Sequence, residues 1–126
     1  MSKPIIYVDH SEVREGRLEA LKTAIKQLAE FVEANEPQLI AYNVYFTADG
    51  TRMTAMHMHS DSASLETHMK VGGPQFPKFA EFIKLEAIDV YGKLGDDLLE
   101  QLRQKAQMLG AGVVRVHRLH AGFARF

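Results

Sequence analysis

The sequence contains no cysteine and no tryptophan among its 126 residues. Without cysteine the chain can form no disulfide, no thiolate nucleophile and no cysteine-ligated zinc or iron–sulfur site. A reducing compartment fits this composition, and we expect a cytoplasmic protein. No apolar run approaches the roughly 20 residues that a membrane-spanning helix needs, and the N-terminal apolar run is too short for a signal peptide. We therefore expect no membrane partner.

Net charge is also small, because 15 Lys and Arg residues are offset by 16 Asp and Glu residues. A net charge of -1 supplies no field that would gather phosphates, so we expect no nucleic-acid partner. Hydrophobic residues make up 46% and charged residues 25%, which is typical of a globular protein, and the length suits one domain. Near the C-terminus, Arg103 and Lys105 are expected on a solvated helix face.

The spacing of apolar residues predicts strands and helices in the order βαββαβ. Strands are indicated by short runs rich in β-branched and aromatic residues, and helices by apolar residues at three- and four-residue intervals. Asp49-Gly50 supplies a tight turn between two of the strands and predicts a β-hairpin. One or two further helical turns are expected around Phe76 and Phe79. The predicted strands cover residues 4–10, 39–47, 52–59 and 85–91, and the predicted helices cover 17–35 and 63–71.

This order is that of a ferredoxin-like α+β fold, in which we expect the first and third strands to lie side by side and parallel. A helix from Asp96 and a fifth strand at 113–119 follow, so residues 1–92 form the ferredoxin-like core and 93–126 an extension of the same domain. The strands are apolar on both faces, which predicts a homodimer with two sheets packed face to face. The fifth strand either extends its own sheet or reaches the partner.

The run from Thr54 to Met69, TAMHMHSDSASLETHM, resembles the third strand, helix cap and histidine-containing helix of the antibiotic biosynthesis monooxygenase family. These are small dimeric α/β-barrel proteins that include quinol monooxygenases and heme-degrading relatives. The resemblance covers about residues 4–91, and Gly73-Pro74-Gln75-Phe76 is similar to a segment where many members carry Pro-His-Phe. It implies a dimeric α/β barrel that acts on a small aromatic ligand.

Two departures from the family pattern limit what this resemblance implies. His57 and His59 stand where many members carry an acidic residue and, two positions on, a tryptophan. Gln75 stands where a histidine is common. Sites that depend on the family tryptophan are therefore not implied for this chain.

Histidines concentrate where the predicted strands end. With parallel first and third strands, His10 lies near His57 and His59, and the helix that carries His68 begins there. An imidazole can take a proton from a phenol or quinol held in a dry pocket, and the deprotonated ring can then reduce O₂ without a cofactor. We therefore predict a cofactor-independent monooxygenase acting on a small aromatic or quinol-like substrate. The candidate catalytic residues are His57, His59 and His68, and the candidate substrate-binding residues are Tyr7, His10, Asn43, Tyr45, Phe76 and Phe79.

Other interpretations of these histidines remain open at this point. His57 and His59 lie two apart on one strand and can present two imidazoles to a metal, with His10, His68 or Glu66 completing the set. A single histidine can also ligate heme iron, or the imidazoles can serve only as hydrogen-bonded polar groups of a half-buried strand. The alternative function is a non-enzymatic dimer that binds a small hydrophobic ligand, a metal or heme at this end of the sheet.

Overall fold

Five strands and three helices make up the computed structural model, which describes residues 4–126. Two short 3₁₀ helices, Gly73–Gln75 and Pro77–Glu81, join the second helix to the fourth strand. The observed boundaries agree closely with those predicted from the periodicity. The strands are β1 (Ile5–Val13), β2 (Leu39–Phe46), β3 (Arg52–His59), β4 (Ile83–Tyr91) and β5 (Val114–His117), and the helices are α1 (Leu18–Asn35), α2 (Ser62–Val71) and α3 (Asp96–Leu109).

Local sequence signals account for several of these boundaries. Gly50 turns the β2–β3 hairpin with a φ of 72°, and Asp49 Oδ1 accepts hydrogen bonds from the Thr51 amide and from the Thr47 hydroxyl. Asp61 caps α2 by accepting a 2.9 Å hydrogen bond from the Ser64 amide. The predicted hairpin and the predicted capped helix are both confirmed.

The five strands form one sheet in the order β2-β3-β1-β4-β5. β1 pairs antiparallel with both β3 and β4, so the predicted parallel pairing of the first and third strands is wrong. The α1 crossover returns the chain so that β2 runs in the direction of β1. The tight hairpin then reverses it, and β3 must therefore run opposite to β1. As a result Ile5 pairs with His59, while His10 pairs with Thr54 near the other end.

The buried sides of the three helices pack on one face of this sheet, called the inner face below. β1 alternates strictly between the two faces, and its inner positions include Tyr7 and Asp9. β5 pairs parallel with β4, so the fifth strand extends its own sheet. None of the helices in the described part of the chain is long and apolar enough to cross a membrane. The core at the inner face includes Leu21, Ile25, Leu28, Val32, Leu65, Ile88, Leu98 and Leu102.

Candidate functional site

Polar side chains gather under the helices on the inner face of the sheet, where apolar residues would be expected. Alternate residues of a strand share a face, so Tyr7 and Asp9 of β1 lie on the same face as His57 and His59 of β3, with Tyr7 directly opposite His57. The helices contribute the other members of this group, which is called the inner polar cluster below. Its buried members are Tyr7, Asp9, Glu36, His57, His59, His68 and Lys105.

A histidine–glutamate pair lies fully buried in the inner polar cluster. His68 Nδ1 lies 2.7 Å from Glu36 Oε1, and the two side chains are 1% and 0% exposed. Since a carboxylate can only accept a hydrogen bond, His68 Nδ1 is the donor to Glu36. The other ring nitrogen, Nε2, takes no part in this pair. Nε2 is buried and has no hydrogen-bond partner among residues 4–126. The pair therefore presents an oriented imidazole whose outer nitrogen is available to a ligand.

His57 is held flat against Tyr7. The two rings stack with centroids 3.8 Å apart and planes 6° from parallel. His57 Nδ1 lies 3.2 Å from the Tyr7 carbonyl oxygen and donates to it. Burial, followed by the positive charge of Lys105, holds the pKa of His57 well below its ordinary value. His57 is therefore neutral at physiological pH, with a lone pair on Nε2.

A hydrogen bond made by His59 ties β3 to the start of α2. Its Nδ1 lies 2.7 Å from Ser64 Oγ, and that hydroxyl donates to the Gln38 carbonyl oxygen at 3.2 Å. The hydroxyl proton is thus used, so His59 Nδ1 is the donor of the first bond. Burial lowers the pKa of His59 to about 3.

Lys105 and Asp9 form a buried ion pair, with Nζ and Oδ2 2.8 Å apart. The ammonium also lies 4.1 Å from the centroid of Phe76 and 5.1 Å from that of Tyr7. The expectation that Lys105 lies on a solvated helix face is wrong, since it is 6% exposed. It sits between Leu102 and Leu109 on the apolar stripe of α3.

A cavity of about 30 Å³ lies within the inner polar cluster. It has room for one or two water molecules, whereas a cavity that takes benzene measures roughly 150 Å³. A larger open groove of about 550 Å³ runs between α1 and β2. Tyr42 lines both spaces, and Glu36 lines the groove while it holds His68 in the cavity. The cavity lining consists of Asp9, His57, His68 and Lys105 together with Ile25, Leu28, Tyr42, Met53, Ala55, Phe76, Phe79, Ile83 and Leu109.

The structure brings most, but not all, of the predicted site residues together. His10 lies on the outer face, where its Nε2 is 2.9 Å from Asp89 Oδ2, because it alternates with the inward-facing Asp9 on β1. The antiparallel pairing also sets it opposite Thr54, away from His57 and His59 along the strand. Tyr45 is 56% exposed, and Asn43 lines only the groove. Of the predicted residues, four line the cavity, namely His57, His68, Phe76 and Phe79. Tyr7 and His59 do not line it but pack against His57 and His68.

Three residues of the cluster were not predicted from the sequence. Asp9 lies two positions from Tyr7 and so on the same face of β1, and Lys105 interrupts an apolar stripe of α3. Both patterns weakly indicate a buried position. Glu36 ends α1 just before Pro37, and no pattern indicates its burial. Among residues 4–126, no three His, Asp or Glu side chains converge in a way that could hold a metal ion. The metal-ligand set that the sequence left open is therefore not formed.

Comparison with known proteins finds similar structures but no matching family model and no matching curated protein. MupZ from Pseudomonas fluorescens aligns with a TM-score of 0.75 at 22% identity, over 99% of this chain and 91% of that one. A candidate antibiotic biosynthesis monooxygenase from Bacteriodes thetaiotaomicron aligns with a TM-score of 0.56 at 19% identity, over 66% and 83%. SnoaB, a cofactor-independent oxygenase from Streptomyces nogalater, gives 0.61 at 12% identity, over 75% and 96%. The chain thus has the ferredoxin-like α+β fold of antibiotic biosynthesis monooxygenase-like proteins, as predicted.

Proposed function

We propose that the protein is a cofactor-independent monooxygenase that oxidises a small aromatic or quinol-like substrate with O₂. The observation that carries this proposal is the His68–Glu36 pair, whose outer nitrogen is buried without a partner among the described residues. A base of this kind is what deprotonation of a phenol requires. SnoaB has the same fold and is a cofactor-independent oxygenase, which supports the proposal.

In the proposed reaction, His68 Nε2 takes the proton of the substrate hydroxyl, and Glu36 stabilises the imidazolium that forms. The phenolate passes one electron to O₂, and the resulting radicals combine to bond oxygen to a ring carbon that carries hydrogen, para to the hydroxyl in a simple phenol and ortho to it in a hydroquinone. His68 returns its proton to the peroxide. Loss of water, with the hydrogen of that ring carbon, leaves a quinone. One oxygen atom of O₂ ends in the quinone and the other in water.

The surroundings of His68 suit this chemistry. Neutral His57 adds no second positive charge near the base, and the rings of Phe76 and Phe79 help to exclude water. The cavity is too small for an aromatic ring, so we propose that the body of the substrate lies in the α1–β2 groove. Its hydroxyl then reaches His68 by displacing Tyr42, which lines both spaces.

Oxygen uptake with a panel of hydroquinones and naphthols tests this proposal, with mass spectrometry of products formed under ¹⁸O₂. We expect His68→Gln to lower the rate by about 100-fold or more, the usual contribution of a general base. His10→Gln is the matched control, because it removes an imidazole from the outer face and should leave the rate unchanged. The proposal fails if no compound raises oxygen uptake above its spontaneous rate, or if His68→Gln retains full activity.

A second candidate is a protein that binds a small hydrophobic ligand without turning it over. The small volume of the cavity favours it over the oxygenase, because a ring that lies in the α1–β2 groove does not reach His68 unless a lining side chain moves. Saturable binding of the same panel, measured by calorimetry in the absence of any oxygen uptake, would select this candidate over the oxygenase.

We also propose that the protein is a homodimer whose sheets pack face to face. The outer face carries half-buried apolar side chains at Ile6, Val8, Met56 and Met58, and within residues 4–126 the helices pack on the inner face. Light scattering after gel filtration should give the mass of two chains. Val8→Asp, at the centre of this face, should give the mass of one. A wild-type mass of one chain would contradict the proposal.

A further inference from the structure

We propose that Lys105 is an anion-binding residue, whose ammonium group, positioned by Asp9, holds the phenolate oxygen of the substrate. This inference rests on the proposed function and deepens it, because it makes the bound form of the substrate an oxyanion. It also assigns a role to an ion pair that the base chemistry of His68 does not use.

The surroundings of Lys105 leave part of its donor capacity free. An ammonium group has three N–H donors, and among residues 4–126 its one hydrogen-bond acceptor is Asp9 Oδ2, at 2.8 Å. Its other close neighbours are the rings of Phe76 and Tyr7. Aromatic faces attract a cation but do not replace an oxygen acceptor. A buried ammonium in this position can therefore bind a further oxygen atom.

Buried atoms without partners mark where that oxygen would lie. The Tyr7 hydroxyl and His68 Nε2 can donate to an oxyanion, the latter once it is protonated, and both are buried without a hydrogen-bond partner among the described residues. Asp9 Oδ1 is likewise buried without a partner, but it is an acceptor and would take a donor such as water. Native proteins leave few such atoms, so several in one place indicate atoms that a ligand or water supplies. Asp9, His68 and Lys105 line the same cavity, and both His68 and Lys105 lie against Phe76.

The other polar groups that face Lys105 do not supply a positive charge. On β1, burial raises the pKa of Tyr7 well above its ordinary value, and Asp9 raises it further. Burial likewise raises the pKa of Tyr42 on β2, so both phenols stay neutral donors. On β3, His57 is neutral because burial and then Lys105 lower its pKa. Apart from His68 on α2, which carries the proton taken from the substrate, Lys105 is the cation available to an oxyanion.

The binding of 4-nitrophenol tests this assignment without any turnover, because the absorbance of its phenolate reports the protonation state of the bound probe. In the wild-type protein, the bound probe should ionise about one pH unit or more below the free probe. In Asp9→Asn/Lys105→Met, both charges of the pair are removed together, so neither is left buried alone. This double variant should lose that shift and bind the phenolate at least tenfold more weakly. Arg103→Met removes a positive charge from the exposed face of the same helix and should match the wild type.

A second variant keeps the test decisive if the double variant does not fold. Asp9→Asn alone frees the ammonium from its counter-ion and should tighten phenolate binding. The proposal would be overturned if Asp9→Asn bound the phenolate no more tightly than the wild type does. It would also be overturned if 4-nitrophenol bound to the wild-type protein ionised at the same pH as the free probe. Phenolate binding that depends on Lys105 in a protein without oxygen uptake would instead refute only the oxygenase function. Oxygen uptake that survives in the folded double variant would refute only the role of Lys105.

Discussion

Lowering the pH from 7 to 5 should weaken the folded protein strongly, because His57 and His59 stay neutral in it. The pKa of His59 is about 3 in the folded state, against 6.5 for an unperturbed histidine, and burial lowers that of His57 in the same direction. Between these values the unfolded state binds more protons than the folded state, so stability is complete above pH 6.5 and is lost as the pH falls below it.

The size of this loss follows, for His59, from the difference between its folded and unfolded pKa values. A histidine that is protonated in the unfolded state but stays neutral in the folded state lowers the free energy of unfolding by about 1.4 kcal/mol for each pH unit below 6.5. Between pH 7 and pH 5 this amounts to about 2 kcal/mol for His59. The lowered pKa of His57 adds to this loss in the same direction. Small domains have a stability of about 5–15 kcal/mol, so such a loss is large.

Urea unfolding followed by circular dichroism at pH 7 and pH 5 measures this effect. His59→Gln removes one of the two titrating groups, so its free energy of unfolding should fall by about 2 kcal/mol less over this range than that of the wild type. His120→Gln, in the exposed C-terminal segment, should behave as the wild type does. An unchanged wild-type stability at pH 5, or a His59→Gln variant with the full pH dependence, would refute this reasoning.

Three further substitutions test the packing around the site. Gly72→Ala places a Cβ 3.1 Å from His68 Cε1 and 3.2 Å from Glu36 Oε2. We expect this variant to have a lower oxygen-uptake rate and to lose about 1–2 kcal/mol of stability in thermal unfolding. Gly73→Ala, where the added Cβ meets open space, should change neither the rate nor the stability. Gly110→Ala places a Cβ in steric overlap with the Leu85 carbonyl oxygen, which belongs to the backbone and cannot move aside easily. Urea unfolding of this variant should show a loss of about 2–3 kcal/mol. Gly95→Ala, again with open space, should show little change. Asp61→Ala removes the cap of α2 and should cost about 1 kcal/mol in the same assay. Asp97→Ala, on the exposed first turn of α3, is the control for this variant. Full stability in Gly72→Ala, Gly110→Ala or Asp61→Ala would contradict the contact that the variant tests.

The fold could be predicted because its signals are local. The stripe from Leu21 to Val32, the Asp49-Gly50 turn and the Asp61 cap each depend on a few neighbouring residues, and each element was found within a few positions of its observed ends. The pairing direction of β1 and β3 depends instead on how many reversals the chain makes between them. The α1 crossover leaves β2 parallel to β1, and the hairpin then reverses the chain once. Counting the connections in this way would have predicted the antiparallel pairing of β1 and β3.

The candidate site was harder to predict because its membership depends on strand parity and on long-range pairing. Asp9 and His10 are neighbours in sequence, yet one lies in the inner polar cluster and the other on the opposite face, beside Asp89. The aromatic side chain of Tyr7 indicates that Tyr7 faces the core, so every second residue of β1 counted from Tyr7 faces inward as well. This alternation places Asp9 in the cluster and His10 outside it. The same argument applies to Lys105 on α3: an isolated lysine between inward-facing leucines indicates a buried counter-charge, here Asp9, from which it is separated by 96 positions. No local pattern contains both members of such a pair, so only the folded chain identifies the ammonium as part of the site.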